Sequence, residues 1–347
     1  MRPMSICYYS ASQLVRTDIS IMLIQHRLPK FLIFIAALTA LAACTDSADQ
    51  ASVADDSDIT MDTLVSAGWL REHLDDPDLV VIDATVLIES DESGNLLSVN
   101  GRANYEAGHI PTAGFADLLG DLSDADSPLQ FAMPSPEQFA AAMGALGVGD
   151  GSRVVVYDAS GSSWAARVWW MLRWIGFDQA ALLDGGLAAW TAQGEPLSTE
   201  PSTRPARKLT VNVRPELIAD QDDVRSSIED ESINLIDALP AAHYRGEWTM
   251  YDQPGHIPGA SNVPVPSLFD DAGHFRSHDE LAALFESDRD TRTITYCGGG
   301  IAASSDAFVM TRLGFTDVAV YAASLQEWAA DPDNPMDVVL EFDESED

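Results

Sequence analysis

The chain has 347 residues, room for two domains of ordinary size, and its 46% hydrophobic content is enough for packed cores, which excludes a disordered protein. Its net charge of −36 leaves no basic footprint, so nucleic acid is excluded as a partner. So acidic a surface favours solubility, and an anionic ligand would meet an unfavourable field unless salt or local arginines relieve it.

Arg27 and Lys30 flank the start of an eleven-residue apolar run, Phe31 to Leu41, which leads into Leu41-Ala42-Ala43-Cys44. That run is too short for a membrane span and fits the core of an export signal over residues 1–43. Met22 is the expected start, because from there the charged, apolar and cleavage regions have normal proportions. Leu-Ala-Ala-Cys resembles a bacterial lipobox, which implies cleavage before Cys44 and a lipid on it. A plain signal with an incidental cysteine is the simpler alternative. Residues 44–59 then form a polar, acidic tether. Together these features imply a lipoprotein of the bacterial cell envelope facing the periplasm, held to a membrane by its lipid. Thr45, rather than Asp, after the cysteine favours the outer membrane.

Beyond the tether the sequence repeats. Leu79-Val80-Val81-Ile82-Asp83-Ala84 is matched by Ile233-Asn234-Leu235-Ile236-Asp237-Ala238, and Gly108-His109-Ile110-Pro111 by Gly255-His256-Ile257-Pro258. Val154 to Asp158 is matched by Thr293 to Cys297, Leu172 to Phe177 by Thr311 to Phe315, and Leu187-Ala188-Ala189-Trp190 by Leu325-Gln326-Glu327-Trp328. The last three pairs lie 138 or 139 residues apart in the same order, which marks a duplicated domain. Each copy alternates buried-type strands with amphipathic helices, an α/β pattern with a mainly parallel sheet flanked by helices. The copies are expected over 60–196 and 210–342. Residues 197–209 form a linker in the stretch marked by Pro196, Pro201 and Pro205.

Of the three cysteines, Cys7 leaves with the signal and Cys44 takes lipid, so Cys297 is the lone thiol in a compartment that oxidises pairs. It follows the β-branched strand Thr293-Ile294-Thr295-Tyr296 and precedes Gly298-Gly299-Gly300, after which Ile301-Ala302-Ala303 opens an apolar helix. Backbone N–H groups converge at such a junction and the helix dipole favours an anion. The glycines let the backbone close around the sulfur. A thiolate or persulfide anion suits this place, and Cys297 reads as a nucleophile with 298–303 as its anion-binding loop.

These residues together resemble the two-domain rhodanese-type sulfurtransferases, thiosulfate and 3-mercaptopyruvate sulfurtransferases among them. The marks are the Asp-Ala strand ends, both Gly-His-Ile-Pro segments, Leu183-Asp184-Gly185-Gly186-Leu187-Ala188-Ala189-Trp190, the cysteine loop and Glu327-Trp328. The resemblance implies two tandem rhodanese-like domains, the first catalytically empty because Asp158 stands where the second has Cys297. It implies that Cys297 takes sulfur from thiosulfate or 3-mercaptopyruvate and passes it, as a persulfide, to cyanide or a thiol. It implies a monomer with no cofactor and no metal. The same layout serves tyrosine phosphatases, but those place an arginine where this chain has Ala303.

The loop departs from both donor types of the family. It has neither the cationic residues of thiosulfate-preferring members nor the serine of the mercaptopyruvate-type Cys-Gly-Ser-Gly. Where the latter carry two arginines upstream of the second Gly-His-Ile-Pro, this chain has His243 and Thr249, and Arg245 is the candidate substrate-binding residue. Arg167, in Ala165-Ala166-Arg167-Val168, matches an arginine of the relatives and reads as a tie between domains. Trp164, Trp169, Trp170 and Trp174 recur at helical spacing and read as packing. His109 and His256 read as turn residues without metal, since no second ligand lies at zinc spacing. The alternative is a non-enzymatic rhodanese-fold module that binds a partner or senses redox state.

Overall fold

The computed structural model describes residues 61–93 and 96–339. The export signal, Cys44 and the 44–59 tether lie outside those residues. Among the described residues no helix is long and apolar enough to cross a membrane.

The first copy runs β1 (Leu64–Val65), α1 (Ala67–His73), β2 (Leu79–Asp83), β3 (Val86–Ser90), β4 (Leu96–Asn100), α2 (Arg102–Ala107), β5 (Gly114–Phe115), α3 (Pro136–Ala145), β6 (Arg153–Tyr157), α4 (Ser163–Trp174), β7 (Ala180–Leu183) and α5 (Gly186–Ala192). The second runs β8 (Ile218–Ala219), α6 (Gln221–Glu229), β9 (Asn234–Asp237), α7 (Ala241–Tyr244), β10 (Ser261–Asn262), α8 (His278–Ala282), β11 (Thr293–Tyr296), α9 (Ile301–Arg312), β12 (Val318–Tyr321) and α10 (Ser324–Trp328). The sheet orders are β1-β7-β6-β2-β5 and β8-β12-β11-β9-β10, with every pairing parallel. The two sheets therefore correspond strand for strand, as the repeated motifs require. β2 and β6 are buried nearly throughout, which fits central parallel strands covered by helices on both faces.

The motifs repeat as bonds as well as letters. Tyr157 Oη accepts the Ile110 N–H at 3.1 Å, and Tyr296 Oη accepts that of Ile257 at 3.0 Å. His109 stacks on Tyr105 and bonds its carbonyl through Nδ1, as His256 does with Tyr244. Both histidines serve turn backbone. The indoles of Trp190 and Trp328 close each copy on the carbonyls of Pro196 and Pro335.

One element escapes the sequence pattern. β3 and β4 form an antiparallel hairpin unique to the first copy, with Ile88, Leu96 and Leu97 exposed. Its base lies over the Asp158 turn, where Thr85 Oγ1 accepts the Ala159 N–H and Ser160 Oγ donates to the Val86 carbonyl. The stretch after the first copy is not a free connector. Ser198 bridges to His109, and Arg207 N–H bonds the Gly144 carbonyl.

The copies meet through α4 and α9. Trp169 and Phe308 meet in a T-shaped pair with ring centroids 4.8 Å apart, and Trp169 donates its indole N–H to the Ala180 carbonyl. A reciprocal amide pair adds to this: Gln130 N–H donates to Gln326 Oε1 at 3.0 Å and Gln326 Nε2 returns to the Gln130 carbonyl at 2.8 Å. Replacing Trp169 by alanine empties the centre of this interface. A loss of about 3–5 kcal/mol is expected, read as a lower midpoint in denaturant unfolding.

Candidate active site

Cys297 directly follows β11 and is only 3% exposed. Its Sγ accepts the Gly300 N–H at 3.1 Å. Gly300 caps α9 at φ +78°, where a β-carbon would lie 2.7 Å from the Ala322 carbonyl oxygen, so only glycine closes the loop there. The following βα turn anchors the loop from behind. Leu325 N–H bonds the Cys297 carbonyl and Gln326 N–H bonds that of Gly298. Ser324, itself at φ +54°, accepts the Cys297 N–H at 3.1 Å and donates to the Tyr321 carbonyl at 2.7 Å. The structure thus brings together Cys297, Gly298, Gly299, Gly300 and the first turn of α9 at Ile301, Ala302 and Ala303.

The first copy shows what this kind of cradle holds. Asp158 Oδ1 accepts the Ser160 and Ser162 N–H groups at 2.7 and 2.9 Å, and Oδ2 accepts that of Ala165 at 2.9 Å. Burial pushes the Asp158 carboxyl up and the backbone N–H groups pull it down. An acidic group fills the first cradle from within, while the second leaves its N–H groups to a sulfur.

The wall opposite the loop comes from residues 247–254. Tyr251 lies so close that a β-carbon on Gly298 would be 1.7 Å from its hydroxyl oxygen. Burial first, and then the charge of Cys297, raise the Tyr251 phenol, which therefore stays protonated. Thr249 is spent inside this wall: its Oγ1 donates to the carbonyls of Tyr251 and Gln253 and accepts the Tyr251 N–H. His243 is fully buried with neither ring nitrogen bonded, edge-on to Trp248 and Tyr251 at 5.3 and 5.5 Å. Burial lowers its pKa, so it is neutral. Arg245, at the C-terminal end of α7, holds Glu247 through Nε at 2.5 Å.

Arg167 reaches the loop from the other copy. It is 1% exposed on α4, with Nη1 on the Gly300 carbonyl at 3.4 Å and Nη2 on that of Phe131 at 3.0 Å. The expected tie between domains thus ends on the cysteine loop. Its sequence signal was a lone charge in the otherwise apolar run Trp164–Leu172 inside α4. Tyr251 and Ser324 gave none, since neither has a recognisable spacing to Cys297. Among the described residues no His, Cys, Asp and Glu cluster could hold a metal. Cys44 lies outside them.

Comparison with known proteins accords with this geometry. The Rhodanese-like domain matches residues 66–193 and again 220–331. The 3-mercaptopyruvate sulfurtransferase of Escherichia coli (strain K12) is 36% identical over 284 residues, spanning 79% of this chain and 98% of that protein. Thiosulfate/3-mercaptopyruvate sulfurtransferase 1, mitochondrial, of Arabidopsis thaliana is 34% identical over 307 residues, with 81% and 79% covered. The crystal structure of SseA from Escherichia coli, described with the "Rhodanese" fold and catalytic mechanism of 3-mercaptopyruvate sulfotransferases, has a TM-score of 0.67 and 35% identity. It covers 76% of this chain and 98% of that one. The chain belongs to the rhodanese family. It is an enzyme of the sulfurtransferase type, and the non-enzymatic reading falls.

Because Tyr251 fills the space a side chain at 298 would need, Gly298→Ala must displace it. Activity is expected to fall at least tenfold while the far-ultraviolet spectrum stays unchanged, and Tyr251→Gly in the same chain should recover part of the loss.

Proposed function

We propose that the enzyme moves sulfane sulfur from thiosulfate or 3-mercaptopyruvate to a thiol or cyanide through a persulfide on Cys297. The observation that carries this is the Gly300 N–H on a buried sulfur, in a loop whose twin holds a carboxyl group with three backbone N–H groups. The Cys297 thiolate attacks the outer sulfur of the donor, the S–S or S–C bond behind that sulfur breaks, and sulfite or pyruvate leaves with the bonding pair (pyruvate taking a proton). The outer sulfur of Cys297–S–S⁻ lies among the 298–303 N–H groups. A thiolate or cyanide then attacks that outer sulfur and Cys297 departs as thiolate, which is covalent catalysis in two displacements.

Donor choice turns on the residues near the loop. His243 is neutral and Thr249 is engaged in the wall, so neither offers a charge to a carboxylate. Arg245, ion-paired to Glu247, is the remaining candidate anion group on this segment. Gly299 faces Gln326, whose amide nitrogen would lie 3.1 Å from a new β-carbon, so the loop has room for the serine of the mercaptopyruvate type with a small shift of that side chain.

The proposed setting is the bacterial cell envelope, with Cys44 lipidated and the two rhodanese-like domains carried as a monomer on the acidic tether. Its support is the Leu41-Ala42-Ala43-Cys44 segment behind the apolar run. Metabolic labelling with a fatty acid, lost in Cys44→Ala, is the check.

Intact mass after exposure to each donor decides the chemistry. A gain of one sulfur, removed by thiol and absent in Cys297→Ser, is expected; no gain from either donor would end the persulfide reading. Arg245→Ala should raise the donor KM several-fold with little change in kcat, and an unchanged KM would remove Arg245 from the substrate site.

A further inference from the structure

Arg167 is the one guanidinium of the described residues that is buried this deeply, and no carboxylate pairs with it. Its neighbours are neutral: the carbonyls of Gly300 and Phe131, Met133 Sδ at 3.1 Å and the face of Trp170 at 5.0 Å. A charge out of water without a counter-charge costs several kcal/mol. Carbonyls and a ring offset part of that, and an anion is needed for the rest. The position also demands closeness, since a β-carbon on Gly300 would lie 2.8 Å from Nη1. That same Gly300 gives its N–H to the Cys297 sulfur.

We propose that Arg167, from the domain that has no cysteine, is the counter-ion of the sulfur anion on Cys297, holding the thiolate before transfer and the persulfide after it. The proposal rests on the persulfide reading above and adds a positioning residue to it. Burial lowers Arg167 to about 10, and the charge on Cys297 is what acts in the opposite direction. Tyr251 faces the sulfur from the 247–254 wall as a neutral phenol. Asp237, at the end of β9, is raised to about 6 by burial, and Asp306 on α9 is raised well above the carboxylate range, first by burial and then by Asp237. Glu327 on α10 is turned away to the Tyr321 hydroxyl at 2.6 Å.

The duplication makes the assignment more pointed. Asp306 stands 139 residues beyond Arg167, the same separation as Cys297 from Asp158. The two copies have exchanged roles: the first keeps an acidic group in its cradle and sends a cation across, and the second keeps the thiol.

The test is the alkylation rate of Cys297 by iodoacetamide as a function of pH, in the full chain and in Arg167→Lys and Arg167→Met, each with its melting temperature. In Arg167→Met the midpoint should rise by about one pH unit or more, as loss of a nearby opposite charge requires, and kcat should drop about tenfold with donor KM little changed. Arg167→Lys should retain most of both. A midpoint unmoved in folded Arg167→Met would reduce Arg167 to a packing residue and overturn the proposal. Should the methionine variant not fold, Cys297→Ser reads the same coupling from the other side. Its melting temperature should fall at pH 8, where the counter-ion is lost, and an unchanged value would overturn the proposal equally. Sulfur gain by the wild-type chain is scored separately, so failure of the persulfide chemistry itself would be seen as no gain from any donor.

Discussion

A sulfur anion in a place only 3% exposed can exist only where backbone N–H groups take over from water. The junction where a strand ends and a helix begins is a place where such N–H groups converge on one atom. Everything around Cys297 serves that requirement. β11 must end at Tyr296, α9 must start at Ile301, and positions 298 and 300 must lack β-carbons because Tyr251 crowds the first and Ala322 and Arg167 the second. Ser324 takes a left-handed conformation to catch the Cys297 N–H, a local strain of order 1 kcal/mol repaid by fixing the turn.

The same constraint explains why the two copies diverged so little in fold and so much in use. The Tyr-to-Ile N–H bond, the stacked His–Tyr pair and the indole closure occur in both, because each settles backbone groups that the turn would otherwise leave unpaired. These bonds hold the strand ends whatever occupies the cradle. Exchanging an acid for a thiol at its centre then leaves the frame intact. What differs is the cover: the β3–β4 hairpin lies over Asp158, and the Tyr251 wall lies by Cys297.

Much of this was legible in the sequence because it is written in local pattern. The run Thr293–Tyr296 is β11 to the residue, and the helix read from Ile301 is α9. The Gly-His-Ile-Pro pairs mark the strand-end turns, and the tryptophans at helical spacing are packing residues of α4, Trp169 against Phe308 of the other copy and Trp164 and Trp174 against Phe131 and Phe139 of their own. The hairpin was not legible. Its strands carry apolar residues on both faces and split at a short turn, so neither periodicity stands out. Tyr251 was hidden for a different reason. Its closeness to Gly298 depends on how residues 247–254 fold back, which Thr249 and Gln253 settle through bonds to backbone carbonyls that no spacing encodes.

Arg167 lies between these cases and shows where pattern reading stops. A charge in the middle of an apolar run announces that something must compensate it, but not what. The sequence offered a bond between domains, and the structure agrees that the side chain crosses the interface. Its end point is the part that needed coordinates: the arginine finishes at the one loop in the other domain that would hold an anion. In a chain of net charge −36, acidic groups are plentiful at the surface, and evolution could have paired Arg167 with any of them. It is instead sealed away from all of them, next to a thiol, which is where a cation would go if the charge it answers comes and goes with the chemistry.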